Sequence, residues 1–271
     1  MANEYPQVMV IGGSDSDGSA GIEADLHSFF MRRVYGTVVM TAVVAGNSYG
    51  IHDAFTLPLP FISKQFEVLA DDLGVKAVKT GMLADADLIN TVADNLEKYD
   101  FGKLVVDPVI VTKHGALLLE DAAFETLKNR LIPLAEVITP NFYEAEHIVG
   151  RKLKSKDEIE AAAHELQDLG AKNVMLKGQR IVDGQETVDD FVLLEDGKTF
   201  WLPAQFFDTD RRNGTGDTVS AVIAAELAKG TNVEESIRIA REFVTNAIGN
   251  EIQVGHKYGP INHWANELPK E

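Results

Sequence analysis

Residues 213–230 read NGTGDTVSAVIAAELAKG, and this stretch predicts a tight glycine turn that runs directly into a helix. The glycines on either side of Thr215 permit the turn because they carry no side chain. Gly230 is expected to end the helix. The apolar residues behind the turn have the i, i+3, i+4, i+8 spacing of a helix with one apolar face, and they are Val219, Val222, Ile223 and Leu227.

This turn has the features of an anion site. The first backbone N–H groups of a helix are unpaired and carry a partial positive charge, and glycines let an anion approach them closely. Asp217 does not fit such a site unless its carboxylate takes up a proton or orients a metal ion. The alternative is that Asp217 is an ordinary acidic residue of a first helical turn. The stretch alone leaves both interpretations open.

The composition predicts a globular protein of the cytoplasm. The chain has 271 residues, 45% of them hydrophobic, which suffices for a substantial core. Its 25 basic and 42 acidic residues give a net charge of -17, so we expect it to bind neither nucleic acid nor an anionic membrane. There is no cysteine, which excludes disulfides and thiolate nucleophiles. The longest apolar run, residues 38–45, is too short to span a bilayer.

Apolar runs alternate with helical patterns, which predicts an α/β fold with a doubly wound, mostly parallel sheet. A helix with apolar residues at Ile22, Leu26, Phe29 and Phe30 is expected after the first strand. Residues 190–194 and 199–202 flank a glycine turn and predict a small antiparallel hairpin at the edge of the sheet. Strands are expected at 8–11, 38–45, 77–79, 104–106, 137–139 and 174–176, and further helices at about 60–73, 85–98 and 233–250.

Residues 46–50, GNSYG, match the G-x-S-x-G pattern of a hydrolase nucleophile elbow, with Ser48 as the nucleophile. We reject this interpretation because the elbow must run into a helix, whereas residues 51–60 alternate in polarity and contain two prolines. The sequence also lacks a P-loop, a G-x-G-x-x-G turn after a strand and an H-E-x-x-H motif, and its 7 histidines show no metal-like spacing. P-loop enzymes, standard dinucleotide dehydrogenases and zinc hydrolases are therefore disfavoured.

Polar residues and glycines follow the expected strands. Because ligands of such sheets bind outside the carboxyl ends of the strands, we expect these residues to form one rim. Asn141 and Glu144 have a second explanation as the cap and first turn of a helix, and Asp25 as a residue at the solvent edge of a helix. The segments of the rim are Gly12–Gly13, Gly46–Asn47, Thr80–Met82, Asp107–Val109, Thr139–Asn141 and Lys177–Gly178.

Seven short motifs occur in an order that resembles the signature of the ribokinase-like vitamin kinases. The resemblance is greatest to the hydroxymethylpyrimidine kinase branch, which also contains bacterial pyridoxine and pyridoxal kinases, and it extends from about residue 8 to residue 263. The motifs are GGSD at 12–15, AGIEADL at 20–26, KTGML at 79–83, VDPV at 106–109, TPN at 139–141 with Glu144 and Ala145, KG at 177–178 and GTGD at 214–217.

The resemblance implies one α/β/α domain over residues 1–271 and a homodimer. The implied reaction is the ATP-dependent phosphorylation of a hydroxymethyl group on a small aromatic heterocycle. Asp217 would be the general base, beside an anion hole formed by the backbone N–H groups of residues 214–217.

The resemblance also implies the binding residues. Asp107 and Glu144, with Asn141, would hold Mg²⁺ and its waters, and Lys177 would neutralise the nucleotide phosphates. Asn141, Lys177, Gly214, Thr215 and Gly216 would thus bind the nucleotide. The substrate pocket would be lined by Gly13, Asp25, Gly46 and Val109, with Asp25 hydrogen-bonding a ring substituent.

Two positions depart from the pyrimidine kinases of this branch, which typically carry cysteine at position 217 and glutamine at position 46. Here the residues are Asp217 and Gly46. The loss of the glutamine removes a side chain that would bind the amino group of the pyrimidine, and the glycine leaves room for a bulkier ring. We therefore expect a kinase of the B6 vitamers pyridoxal, pyridoxine and pyridoxamine. The alternatives are a hydroxymethylpyrimidine or phosphomethylpyrimidine kinase and a catalytically silent vitamin-binding protein.

Overall fold

The computed structural model describes residues 4–110, 119–178 and 186–267. The remaining residues of the expected 1–271 domain lie outside the described part. Within it, nine strands form one sheet in the order β3-β2-β1-β4-β5-β6-β7-β8-β9. The strands are β1 (Gln7–Asp15), β2 (Tyr35–Asn47), β3 (Gly50–Thr56), β4 (Val75–Thr80), β5 (Lys103–Val106), β6 (Val137–Ile138), β7 (Asn173–Leu176), β8 (Thr187–Leu193) and β9 (Thr199–Gln205).

Helices cover both faces of this sheet. A π-helical turn, Leu127–Leu131, and a 3₁₀ turn, Ile132–Leu134, continue the fourth helix, and a further 3₁₀ turn spans His263–Glu267. The helices are α1 (Gly21–Met31), α2 (Leu59–Asp72), α3 (Ala86–Lys98), α4 (Asp121–Thr126), α5 (Phe142–Val149), α6 (Lys156–Asp168), α7 (Thr215–Ala228) and α8 (Val233–Gly249).

Strand β1 shows how the sequence produces three layers. Its apolar run is fully buried, and successive side chains of a strand point to opposite faces. Met9 and Ile11 pack with residues of α2, α3, α5 and α6, whereas Val8 and Val10 pack with residues of α1, α7 and α8. The chain needs both faces covered because the central strands pair in parallel. The expected α/β/α architecture is confirmed.

Both edges of the sheet are antiparallel. Strands β8 and β9 form the expected hairpin beside β7. At the other edge, residues 50–56 form β3, which pairs with β2. The sequence predicted only an extended segment over residues 51–60. The two prolines of that segment, at positions 58 and 60, come after the strand and do not interrupt its pairing. Since Ser48 lies in the tight turn between β2 and β3, the rejection of a strand-to-helix elbow is confirmed.

Two predicted helix faces are wrong. In α1, Phe30 is 80% exposed, whereas Asp25 is fully buried together with Ile22 and Phe29. In α7, every residue from Thr218 to Leu227 is buried, so this helix has no solvent-facing side. Its many small residues let it approach the neighbouring elements closely, and it packs against α1, α8 and strands β1, β4 and β5. The glycine turn before α7 therefore leads into the central helix of one layer.

The side on which the chain adds new strands changes at β1, because β2 lies on one side of it and β4 on the other. Such a switch point leaves a crevice beyond the carboxyl ends of the strands, where α/β proteins bind ligands. In the described residues, no helix has the length and apolar character needed to cross a membrane.

Candidate active site

The turn before α7 is fixed by its backbone conformation. Gly214 has a φ of 77°, which favours glycine, and a Cβ at this position would collide with the carbonyl oxygen of Ser19. Two backbone hydrogen bonds hold the preceding residue, Asn213, which donates to the oxygen of Gly259 (3.0 Å) and accepts from the N–H of Ile261 (3.3 Å). The predicted glycine turn is therefore held between the β1–α1 loop and the C-terminal segment.

A cavity of about 780 Å³ lies in front of this turn. Its volume is in the range of sites for small molecules and cofactors. One part is apolar, with Phe142, Tyr143, Phe206, Phe207 and Ile248 in its lining. Its lining also contains most of the predicted site residues, namely Asp107, Val109, Asn141, Glu144, Lys177, Gly214, Thr215, Gly216 and Asp217. Gly13, Asp25 and Gly46 do not line it.

Lys177 and Asp107 form an ion pair at the turn. The Nζ of Lys177 lies 3.1 Å from Oδ1 of Asp107. Burial acts to lower the pKa of Lys177, but the charges of Asp107 and Glu144 outweigh it, so the pKa is raised and the lysine is charged. A Cβ on Gly216 would lie 3.4 Å from this Nζ, which places the cation directly beside the glycine turn.

Asn141 and Glu144 cap helix α5. The side chain of Asn141 accepts from the N–H of Glu144 (3.0 Å), and Glu144 Oε2 accepts from the N–H of Asn141 (2.7 Å). The capping explanation from the sequence is thus confirmed for both residues. Glu144 Oε1 also accepts from the N–H of Ile110 (3.0 Å). Burial, together with the charge of Asp107, raises the pKa of Glu144 to about 7.

Lys79, to which the sequence assigned no role, joins two of the predicted site residues. Its Nζ is fully buried and donates to Oδ2 of Asp25 (2.8 Å) and to Oδ1 of Asp217 (3.0 Å). Burial lowers its pKa, but the carboxylates of Asp25 and Asp217 outweigh burial and raise it. The signal that could have revealed it is a lysine directly after the apolar residues Ala77 and Val78 of the predicted strand.

Asp25 faces the protein interior, so the alternative of a solvent-edge residue is wrong. Burial raises its pKa well above the usual range, although the charge of Lys79 opposes this. Its Oδ1 is buried and has no hydrogen-bond partner among the described residues. Asp25 does not line the cavity. It is linked to Asp217, in the first turn of α7, through Lys79.

Gly13 and Gly46 lie beyond the cavity, on β1 and β2. The hydroxyl of Ser16 donates to the oxygen of Gly46 (2.8 Å) and accepts from its N–H (2.9 Å). A Cβ on Gly46 would lie 3.4 Å from Oδ1 of Asp15. Burial, together with the charge of Asp17, raises the pKa of Asp15 to about 6. The predicted substrate residues are therefore divided between this region and the cavity.

Val109 lines the cavity in a strained conformation. Its φ is 43°, in the left-handed region that a β-branched residue rarely adopts. Such a conformation costs on the order of 1–3 kcal/mol and tends to occur at functional sites. The strain places Val109 in the cavity wall while the next residue, Ile110, donates to Glu144.

His263 is a second residue that the sequence did not single out. Its Nε2 lies 2.9 Å from the hydroxyl of Thr218 in the first turn of α7. Burial, together with the charge of His27, lowers the pKa of His263 to about 4, so its ring is neutral near pH 7. The C-terminal segment thus contacts the start of α7 through a side chain as well as through Asn213.

The family model described as phosphomethylpyrimidine kinase matches residues 15–262. The chain belongs to this family. It is 45% identical over 260 residues, 96% of this chain and 97% of the relative, to the hydroxymethylpyrimidine/phosphomethylpyrimidine kinase of Haemophilus influenzae. It is 37% identical over 270 residues, 98% of both proteins, to the pyridoxine kinase of Bacillus subtilis.

A solved structure leads to the same family. The crystal structure of an ADP complex of Bacillus subtilis pyridoxal kinase has a TM-score of 0.90 and 36% identity, and the match covers 98% of this chain and 100% of that one. The expected resemblance to ribokinase-like vitamin kinases is confirmed. The chain is an ATP-dependent kinase of a small molecule, and its cavity has a helix N-terminus at one wall and apolar residues in its lining.

Replacement of Lys79 by methionine is expected to destabilise the kinase by about 3–5 kcal/mol, because it leaves the Asp25 carboxyl buried without its cation. The measurement is the free energy of unfolding in urea. Lys64→Met is the matched control, since Lys64 forms an exposed ion pair with Glu67, and the loss of such a pair should change the free energy of unfolding far less. Equal losses in the two variants would contradict the prediction. Asp25→Asn combined with Lys79→Met should recover part of the loss.

Proposed function

We propose that this kinase phosphorylates the hydroxymethyl group of hydroxymethylpyrimidine and then the resulting monophosphate. The observation that carries the proposal is the 45% identity, over 96% of the chain, to the enzyme of that name from Haemophilus influenzae. This reverses the order expected from the sequence, in which a B6 vitamer came first. The aspartate at position 217 and the glycine at position 46 carry less weight than identity over nearly the whole chain.

In the proposed mechanism, Asp217 is the general base. As the hydroxyl oxygen of the substrate attacks the γ-phosphorus, Asp217 takes the hydroxyl proton, the bond to the bridging oxygen breaks and ADP leaves. Lys79 holds Oδ1 of Asp217 at 3.0 Å, and Oδ2 makes no hydrogen bond with a described residue, so it is available to the substrate. The N–H groups of residues 214–217 would stabilise the charge on the transferred phosphoryl group.

The donor set near Lys177 fits Mg²⁺. Asp107 and Glu144 supply carboxylate oxygens, and the charge of Asp107 already raises the pKa of Glu144, a repulsion that a cation would relieve. In the described residues there is no cluster of three or more acidic, histidine or cysteine side chains ready for a metal. This matches the preference of Mg²⁺ for one or two carboxylates, phosphate oxygens and waters. When bound, the ion would neutralise charge on the phosphates.

A B6 vitamer is the second candidate substrate. Gly46 supports it, because a glycine there leaves space beside Asp15 that a glutamine side chain would fill. The carboxyl group of Asp15, with its raised pKa of about 6, could then exchange a proton or hydrogen bond with a ring substituent. This candidate needs the ring to bind near β1 and β2, with its hydroxymethyl group directed to Asp217.

Steady-state kinetics with ATP would decide between the two candidates. We expect kcat/KM for hydroxymethylpyrimidine to exceed that for pyridoxal at least tenfold, and the monophosphate to be phosphorylated as well. A tenfold preference for pyridoxal would overturn the proposal in favour of the second candidate. ADP release with none of these alcohols would point to a silent binding protein. Gly46→Gln should increase the preference for the pyrimidine.

Asp217→Asn should lower kcat by about 10²–10⁴-fold, because the amide keeps the shape of the side chain and cannot take up the proton. The KM for ATP and the fold, followed by circular dichroism, should change little. Asp87→Asn is the matched control, since Asp87 also lies in the first turn of a helix, α3. Near-normal turnover of the Asp217 variant would place the base elsewhere.

The homodimer also belongs to the proposal. All seven residues of the edge strand β3 are exposed, including Ile51 and Phe55. Exposed apolar edge strands readily pair with another chain. Light scattering of the purified kinase should give about twice the chain mass, and Phe55→Lys should lower it. A monomer at micromolar concentration would refute this part of the proposal.

A further inference from the structure

Among the described residues, three cationic side chains line the cavity, and they differ in their partners. Lys177 pairs with Asp107. Arg241 lies 3.0 Å from Oδ2 of Asp190 and donates to the oxygen of Val188 at 3.0 Å. The guanidinium of Arg212 makes neither an ion pair nor a hydrogen bond with any residue in the described part of the chain.

The missing partner of Arg212 is unusual for its position. Its Nε is buried without a hydrogen-bond acceptor. A buried charged donor without an acceptor costs more free energy than a neutral one. The chain has 42 acidic residues against 25 basic ones, so carboxylates are abundant, yet none within the described ranges pairs with this arginine. A cation kept free at a cavity wall is suited to an anionic ligand.

The position of Arg212 indicates which anion fits. It lies two residues before Gly214, and its backbone oxygen accepts from the hydroxyl of Thr215 (2.8 Å). The N–H of Thr215 donates to the same oxygen (3.4 Å), so the backbone of Arg212 directly contacts the first turn of α7. Lys177 borders the same turn at Gly216. The helix terminus and two cations together suit a ligand with more than one negative charge.

We propose that the guanidinium of Arg212 binds phosphate oxygens in this cavity. Its planar fork of N–H groups matches the geometry of phosphate. The phosphate has two possible sources, the nucleotide and a monophosphorylated alcohol substrate. This inference deepens the proposed function, on which its second source depends.

The neighbouring arginine provides a matched control. Arg211 donates from Nη1 to the oxygen of Val254 and does not line the cavity. Arg211→Met therefore removes the same charge one residue away from Arg212, from a side chain directed to the C-terminal segment. Arg212→Lys keeps the charge and loses the fork.

The test measures dissociation constants for ADP and adenosine by calorimetry, and KM for hydroxymethylpyrimidine and its monophosphate. If Arg212 binds a nucleotide phosphate, Arg212→Met should raise the dissociation constant of ADP about tenfold to a hundredfold and change that of adenosine by less than about twofold. For a substrate phosphate, it should raise KM for the monophosphate alone. Either pattern supports the proposal, provided that Arg211→Met behaves like the wild type and Arg212→Lys loses less.

Equal weakening of ADP and adenosine, or no weakening of any ligand, would overturn the proposal. If Arg212→Met does not fold, the Arg212→Lys variant carries the same comparison, with a smaller expected loss for the phosphorylated ligands only. The proposed function fails separately: a wild-type kinase that binds ADP but does not phosphorylate the pyrimidine would sink the substrate assignment. The comparison of ADP with adenosine would still decide whether Arg212 binds a nucleotide phosphate.

Discussion

The buried ammonium of Lys79 is the interaction on which the site depends. It connects α1, β4 and α7, because Asp25 lies on α1 and Asp217 in the first turn of α7. Burial and the charge of Asp217 raise the pKa of the fully buried Asp25 carboxyl, and the ammonium of Lys79 opposes both effects. The carboxylate of Asp217 is therefore oriented by a residue that does not itself line the cavity.

The elements of the fold could be predicted from local patterns, because they depend on local sequence. The apolar run at 8–11 and the glycine turn before α7 each specify their own structure. The burial of α7 on all sides could not be predicted, since small residues are compatible with an exposed or a covered helix face. The exposure of Phe30 on α1 could not be predicted for a related reason, since an apolar side chain is not always buried.

The site could be predicted as a rim but not as a network. The strand-end rule placed Asp107, Asn141 and Lys177 around one cavity, because the carboxyl ends of parallel strands share one edge. Lys79 lies 54 residues from Asp25 and 138 from Asp217, so no spacing in the sequence reports their contact. The same holds for His263 and Thr218, which are 45 residues apart. The sequence did reveal the caps of α5, since a capping box is local.

The complete burial of α7 has a consequence for how such a kinase evolves. The residues of its first turn are bonded or packed against several elements of the fold, so few substitutions are tolerated there. The β2–β3 hairpin, by contrast, is exposed along the whole of β3, and Gly46 lies close to its turn. Substitutions near Gly46 therefore disturb fewer contacts within the chain than substitutions in the first turn of α7. One scaffold can thus give rise to paralogues that share a reaction and differ in the vitamin they accept.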